Sequence, residues 1–287
     1  MIKDLHEKPN QAKAVPSIDL ATPARRTSLA RVLQAAKADA LGGGHRGGVA
    51  AEGEPSMSAQ IITVAQHKGG AGKTTLTAHL AVTWAELGRR VAVLDTDPQG
   101  SLGLWYRQRQ SGLGRRAQPL AYAAATGWRV GAELERLSRI SDLVLVDTPP
   151  SIGPDRRPSL KMSAAVLVPV QPSPLDLWAT QSVLDETQRE GSHPLIVLTR
   201  VPARARLTAE VVAEMARLQS FIANARLGNR TAYAATIAVG ASVADWAMQE
   251  EPWCVEAARE IRELSQEVLD FAEDRYARTA ALVSVGA

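Results

Sequence analysis

The 287-residue chain reads as an α/β protein built on a doubly wound, mostly parallel sheet flanked by helices. Three observations predict this. Five continuous apolar runs, IITVA (61–65), VAVLD (91–95), LVLVD (143–147), AVLVPV (165–170) and LIVLT (195–199), have the length and composition of strands covered on both faces. Helical spacing fills the intervals, as in Leu76, Leu80, Trp84 and Leu87, which end at Gly88 as a C-cap. Polar or turn-forming stretches stand at the carboxyl ends of four runs: QHKGGAGKTT, DTDPQGS, DTPPS and QPSP. Strands alternating with helices make a parallel sheet whose ligands bind beyond those ends, so four separate segments converge on one crevice.

Composition narrows the chemistry. Hydrophobic residues make up 45% and charged residues 22%, which fits a soluble globular protein and excludes a fibrous repeat. No apolar run approaches the roughly 20 residues that span a bilayer, and the N-terminus has no signal-peptide core. A cytoplasmic protein is therefore expected. One cysteine, Cys254, excludes an internal disulfide framework, a CxxC zinc site and an iron–sulfur cluster held by this chain's own thiolates. The formal charge of +3 is compatible with a nucleic-acid partner without requiring one.

The chain changes character near residue 58. Residues 1–58 are rich in Ala, Gly, Ser, Pro and charge, and are expected to form a disordered extension ahead of a catalytic domain at 59–287. Leu29, Val32, Leu33, Ala36 and Ala40 share a helical face, so a short helix over 28–41 competes with an unstructured tail. Two readings of the extension stand: a regulatory or partner-binding tail, or an upstream addition to a domain whose translation starts at Met57.

The segment His67-Lys68-Gly69-Gly70-Ala71-Gly72-Lys73-Thr74-Thr75 joins a strand to a helix, the context a phosphate loop requires. Glycines let backbone amides close around phosphate oxygens, and the helix N-terminus adds its dipole. Lys73 is placed to reach the β and γ phosphates of ATP, and the Thr74 hydroxyl to ligand Mg²⁺. His67 replaces the first glycine of the general pattern, so an ordinary backbone conformation is expected there. Asp95 and Asp97 point to the same side of an extended DTD segment. Asp147 ends an apolar strand, as a magnesium-supporting carboxylate does, and Pro149 and Pro150 stiffen the loop after it.

Lys68 adds a second lysine to the loop, and two such cations repel unless an anion lies near them. With KGGAGKTT, VLDTDPQGS, LVLVDTPPS and VPVQPSPLDLWA, the chain resembles the ParA/MinD family of deviant Walker A P-loop ATPases over about residues 60–275. The resemblance implies that Lys68 crosses a dimer interface to the partner's ATP, and that Asp97 positions or activates the attacking water. It also implies that Asp95 supports the Mg²⁺ shell with Thr74 and Asp147, and that Thr199 and Arg200 lie where relatives contact adenine. Nitrogenase iron protein and iron–sulfur carrier ATPases share the loop but need several cysteines.

The resemblance further implies an ATP-dependent homodimer that binds DNA without sequence preference, works with a ParB-like adaptor, and acts on the nucleoid. Between Arg200 and Arg230 six arginines face two glutamates, a local balance of +4. Arg204, Arg206, Arg226 and Arg230 are the candidate DNA contacts, where arginine pairs with phosphate and releases counterions. A second run, Arg107, Arg109, Arg115 and Arg116, is an alternative. A MinD-like membrane helix is not expected, because residues 250–274 carry nine acids against two arginines, while Ile261, Leu264, Val268 and Phe271 form an apolar stripe that packs inward. The six tryptophans are read as packing residues. The expected activity is Mg²⁺-dependent ATP hydrolysis that drives partition of a plasmid or chromosome, or positioning of another cargo. The competing readings are a nucleotide-gated protein-binding switch with little turnover and a membrane-associated regulator of division.

Overall fold

The computed structural model describes residues 59–150, 153, 156–202, 213, 221–247 and 251–285. The expected extension over 1–58, its candidate helix at 28–41, and the candidate DNA contacts Arg204 and Arg206 lie outside the described residues. The strands are β1 (Gln60–Val64), β2 (Val91–Asp95), β3 (Leu120–Ala124), β4 (Leu143–Asp147), β5 (Ala165–Val170), β6 (Pro194–Leu198) and β7 (Phe221–Ile222). The helices are α1 (Lys73–Glu86), α2 (Ser101–Gly112), α3 (Arg129–Ser138), α4 (Arg157–Met162), α5 (Pro174–Arg189), α6 (Thr231–Ile237), α7 (Val243–Ala247) and α8 (Pro252–Val285).

All strand pairs are parallel, in the order β3-β2-β4-β1-β5-β6-β7. The five apolar runs are β1, β2, β4, β5 and β6, each within one residue of its expected limits. Two strands were not expected. β3, LAYAA, is an edge strand with only two of five residues buried, and its run is mostly alanine rather than the Val-, Ile- and Leu-rich run of the central strands. β7 has two residues and completes the other edge.

Side chains alternate between the two faces along each strand. On one face Ile62, Val64, Val93, Leu145, Leu167 and Val197 meet Leu76, Leu80 and Trp84 of α1 and Ile261, Leu264 and Val268 of α8. On the other, Val130, Leu134 and Leu137 of α3 cover Leu94, Val144 and Val146. Beside them Leu177, Val183 and Leu184 of α5 cover Val166, Val168, Ile196 and Leu198. α1 is enclosed between sheet and α8, and the Trp84 indole donates to the Ser265 carbonyl at 3.2 Å. Leu264 is fully buried at this layer. Leu264→Ala is expected to cost about 2–5 kcal/mol, through lost burial and a residual cavity, measured by urea denaturation.

The acids of α8 do more than solvate its outer face. Glu267 accepts the backbone amides of Asn224 and Ala225, and Glu260 accepts that of Gly228. The helix thereby fixes the segment that runs from β7 to α6. Two expectations about surface residues need correction. Arg109 is not part of a basic surface run: it is fully buried and makes a two-pronged ion pair with Asp245 at 2.7 and 3.0 Å. Packing within the fold accounts for Trp84 and Trp105, but Trp128 and Trp178 are 84% and 72% exposed.

Candidate nucleotide site

β1 ends at Val64 and the chain turns through residues 65–72 into α1. Gly70 and Gly72 take φ of +73° and +94°, a left-handed conformation that side chains other than glycine rarely adopt. Gly72 caps α1 at its N-terminus without a side-chain hydrogen bond, leaving the first-turn amides turned to the loop. Gly69 and Gly70 have open space where a Cβ would stand. His67 needs no such freedom, since Arg200 is the only non-glycine residue with positive φ among the described residues. Gln66 braces the loop from below: its amide group donates to the Pro169 carbonyl, and its side-chain carbonyl accepts the His67 amide.

Lys73 is 7% exposed, and burial lowers its pKa while Asp147 and Asp97 partly restore it. The Thr74 hydroxyl donates to Asp147 Oδ2 at 2.5 Å. Asp147 is 1% exposed, its Oδ1 is buried with no partner, and burial pushes its pKa up to about 7. A hydroxyl and a buried carboxylate with an oxygen left over are the donor set a hard, oxygen-seeking cation takes. The site therefore fits Mg²⁺, which when bound would hold the carboxyl ionised and neutralise phosphate charge.

Asp95 is in register with Asp147 on adjacent strands. Both of its oxygens are engaged by backbone amides, Oδ1 by Asp97 and Oδ2 by Gly103. It thus pins the loop after β2 to the start of α2, and burial raises its pKa. Asp97 is half-buried on this loop, with Oδ1 accepting the Gln99 amide at 2.9 Å. Its second oxygen makes no hydrogen bond among the described residues, and its charge helps to raise the pKa of Lys73.

Lys68 is paired with a carboxylate of α5. Its ammonium group lies 2.7 Å from Asp176 Oδ2, at the first turn of α5. Asp176 is itself 2% exposed, is bonded to the N-cap Ser173, and keeps Oδ1 buried without a partner. Neither Ser173 nor Asp176 was expected in the site, although SPLD has the Ser-x-x-acid form of a helix start.

A cavity of about 360 Å³ opens beside the phosphate loop. Ala71, Gly72 and Thr75 form one wall, and Thr199, Arg200 and Arg230 contribute to the other. The volume suits a nucleoside. Thr199 Oγ1 is buried and unpartnered, and Arg200 has a left-handed φ of 51°, a strain that functional sites commonly carry. Arg230, a candidate DNA contact, lines this cavity and is paired with Glu260 at 2.7 Å and Glu256 at 3.7 Å. Arg226 is exposed and makes no ion pair among the described residues.

The model of the CobQ/CobB/MinD/ParA nucleotide-binding domain matches residues 62–244. The chain is 29% identical over 220 residues to maintenance of carboxysome distribution protein A of Halothiobacillus neapolitanus, covering 75% of this chain and 98% of that protein. It is 32% identical over 192 residues to the chromosome-partitioning ATPase Soj of Thermus thermophilus, covering 54% and 74%. Among solved structures, the cell division ATPase MinD of Pyrococcus furiosus superposes with a TM-score of 0.59 at 19% identity, over 74% of this chain and 98% of that one. The McdA(D38A)–ATP complex of Cyanothece gives 0.55 at 16% identity, over 72% and 97%. These likenesses show the same fold, and the family match covers the phosphate loop, both aspartate loops and the cavity wall. The chain is a member of the CobQ/CobB/MinD/ParA family of nucleotide-binding proteins.

Proposed function

We propose that this protein is a Mg²⁺-dependent ATPase that dimerises on ATP, binds DNA without sequence preference, and moves or positions a cargo on the nucleoid as an adaptor stimulates hydrolysis. The observation that carries this reading is the division of labour between the two loop lysines. Lys73 is buried with the Thr74–Asp147 pair, while Lys68 sits on the rim, held by Asp176 and 39% exposed. A lysine stored on a helix beside the cradle is free to exchange that carboxylate for a phosphate supplied from across an interface. Leu175 and Trp178 flank Asp176 on α5 and are 67% and 72% exposed, giving the rim the apolar surface that a second copy would cover.

In each subunit Lys73 and the loop amides bind the β and γ phosphates of ATP. Thr74 and Asp147 hold the Mg²⁺, Asp97 orients water at the γ-phosphate, and Thr75, Thr199 and Arg200 enclose the nucleoside. Catalysis is then positioning and charge neutralisation, as in phosphoryl transfer generally. Arg226, exposed and unpaired among the described residues, is the DNA contact the fold supports best. The relatives include proteins named for chromosome partition and for carboxysome distribution, and the cargo here is DNA or a protein assembly of that kind. Among the described residues no helix is long and apolar enough to cross a membrane.

The test is binding to non-specific duplex DNA with ATP, ADP and no nucleotide over a salt series. Binding with ATP alone, falling steeply with salt, is expected for wild type. Lys68→Ala is expected to lose it while retaining ADP affinity. Salt-independent binding, or DNA binding by Lys68→Ala equal to wild type, would sink the dimer-on-DNA reading and leave a protein-partner switch.

A further inference from the structure

His67 stands where the general phosphate loop has glycine, and neither the phosphate cradle nor the dimer rim uses its side chain. The imidazole is 11% exposed and meets three groups. Nδ1 lies 2.9 Å from Ser182 Oγ, and Nε2 lies 2.9 Å from Glu186 Oε2 and 2.6 Å from an Arg156 Nη. The same Arg156 nitrogen bonds Glu186 Oε2, and its other Nη donates to the Pro149 carbonyl at 3.4 Å. Arg156 and Glu186 are 2% and 8% exposed.

Proton placement assigns the roles. The Ser182 hydroxyl donates to the Ala179 carbonyl at 3.1 Å, so it accepts from His67 Nδ1–H. Nε2 of the neutral imidazole then accepts from Arg156, whose same Nη donates its second hydrogen to Glu186 Oε2 and so bridges the two acceptors. Burial, opposed by Glu186 and reinforced by Arg156 and Lys73, lowers the His67 pKa and favours that neutral form. Glu186 fixes the guanidinium, and a buried pair of this kind strongly resists loss of one partner.

The geometry points to Arg156 as a positioning residue: it ties the loop after Asp147, through the Pro149 carbonyl, to the first residue of the phosphate loop, through His67. The strut keeps the magnesium-supporting carboxylate and the phosphate cradle in one arrangement, and it explains why a side chain replaces glycine at position 67. This inference rests on the ATPase reading above for its effect on turnover, and on the structure alone for its effect on the loop.

The experiment is a double-mutant cycle with His67→Ala, Arg156→Lys and the pair, following kcat, nucleotide Kd and amide exchange of residues 68–72. Each single change is expected to lower kcat roughly tenfold with Kd altered less than about threefold, and the double to fall no further than the worse single. His67→Gln, whose amide carbonyl accepts from Arg156, is expected to recover most of the loss. Arg156→Lys is expected to speed exchange in the phosphate loop several-fold, although its substitution lies after β4. Losses that multiply in the double, or phosphate-loop exchange unchanged by Arg156→Lys, would overturn the strut. Melting curves confirm folding, and Arg156→Gln with Glu186→Gln, which leaves no unpaired charge, replaces Arg156→Lys in the cycle if that variant does not fold. A wild-type chain without ATP turnover overturns the ATPase reading, while the exchange measurement decides the strut independently of it.

Discussion

Replacing Asp97 with alanine is expected to reduce Mg²⁺-dependent ATP hydrolysis by roughly 10²-fold or more, the scale on which a residue that positions or deprotonates the attacking group acts, while ATP affinity stays near wild type. Asp97 suits that role because one oxygen is committed to the loop, accepting the Gln99 amide, while the other makes no hydrogen bond among the described residues and the carboxylate is near enough to act on the charge of Lys73. Loss of the Gln99 contact would also loosen the turn. Asp97→Asn keeps an acceptor for that amide and separates the two effects. If Asn restores turnover, Asp97 serves only the turn. If both variants bind ATP, assemble on DNA and fail to release it, hydrolysis is the step that resets the cycle. Cargo positioned normally by Asp97→Ala would instead favour a nucleotide-gated switch that needs little turnover.

Asp147 should couple Mg²⁺ binding to proton release near neutral pH. Burial raises its pKa to about 7, so below that value the carboxyl is mainly protonated and above it mainly ionised. Mg²⁺ takes the ionised form, so its apparent affinity is expected to fall as pH drops below about 7, by up to tenfold per pH unit. It should level off above pH 7. Asp147→Asn has nothing to titrate, and should lose both the Mg²⁺ requirement of nucleotide binding and the pH slope. Calorimetric titration of Mg²⁺ and ADP in buffers of different ionisation enthalpy, with the Asn variant subtracted, measures the released proton. A flat affinity from pH 5.5 to 8.5 with no proton released would show that this carboxylate is not the one that meets the cation.

Much of the site was legible because local chemistry writes itself into local sequence. Glycines at positions 70 and 72 are demanded by left-handed φ values. An aspartate closing a run of apolar residues marks the polar end of a buried strand, as at Asp95 and Asp147. The Ser173–Asp176 helix start was equally available in SPLD, and its meaning for Lys68 was not, because the pair is separated by 108 positions in sequence. Arg230 looked like one member of a basic cluster. Its pairing with Glu260 depends on α8 packing back across α1, a contact between elements that no local count of charge reveals.

The sequence by itself determined the strand–helix alternation, the five central strands, the phosphate loop and the two aspartate loops, because each rests on apolar periodicity or backbone requirements within about ten residues. Only the tertiary structure decided which charges are free and which are spent. Arg109 is buried against Asp245, the more exposed Arg230 and Lys68 are paired with Glu260 and Asp176, and Arg156 joins His67 to Glu186. Ion pairs form between side chains brought together by packing, and their partners lie 30 to 136 residues apart. The same packing left β3 and β7 as sparsely covered edges, the one mostly alanine and the other two residues long, without the long branched apolar runs of the central strands.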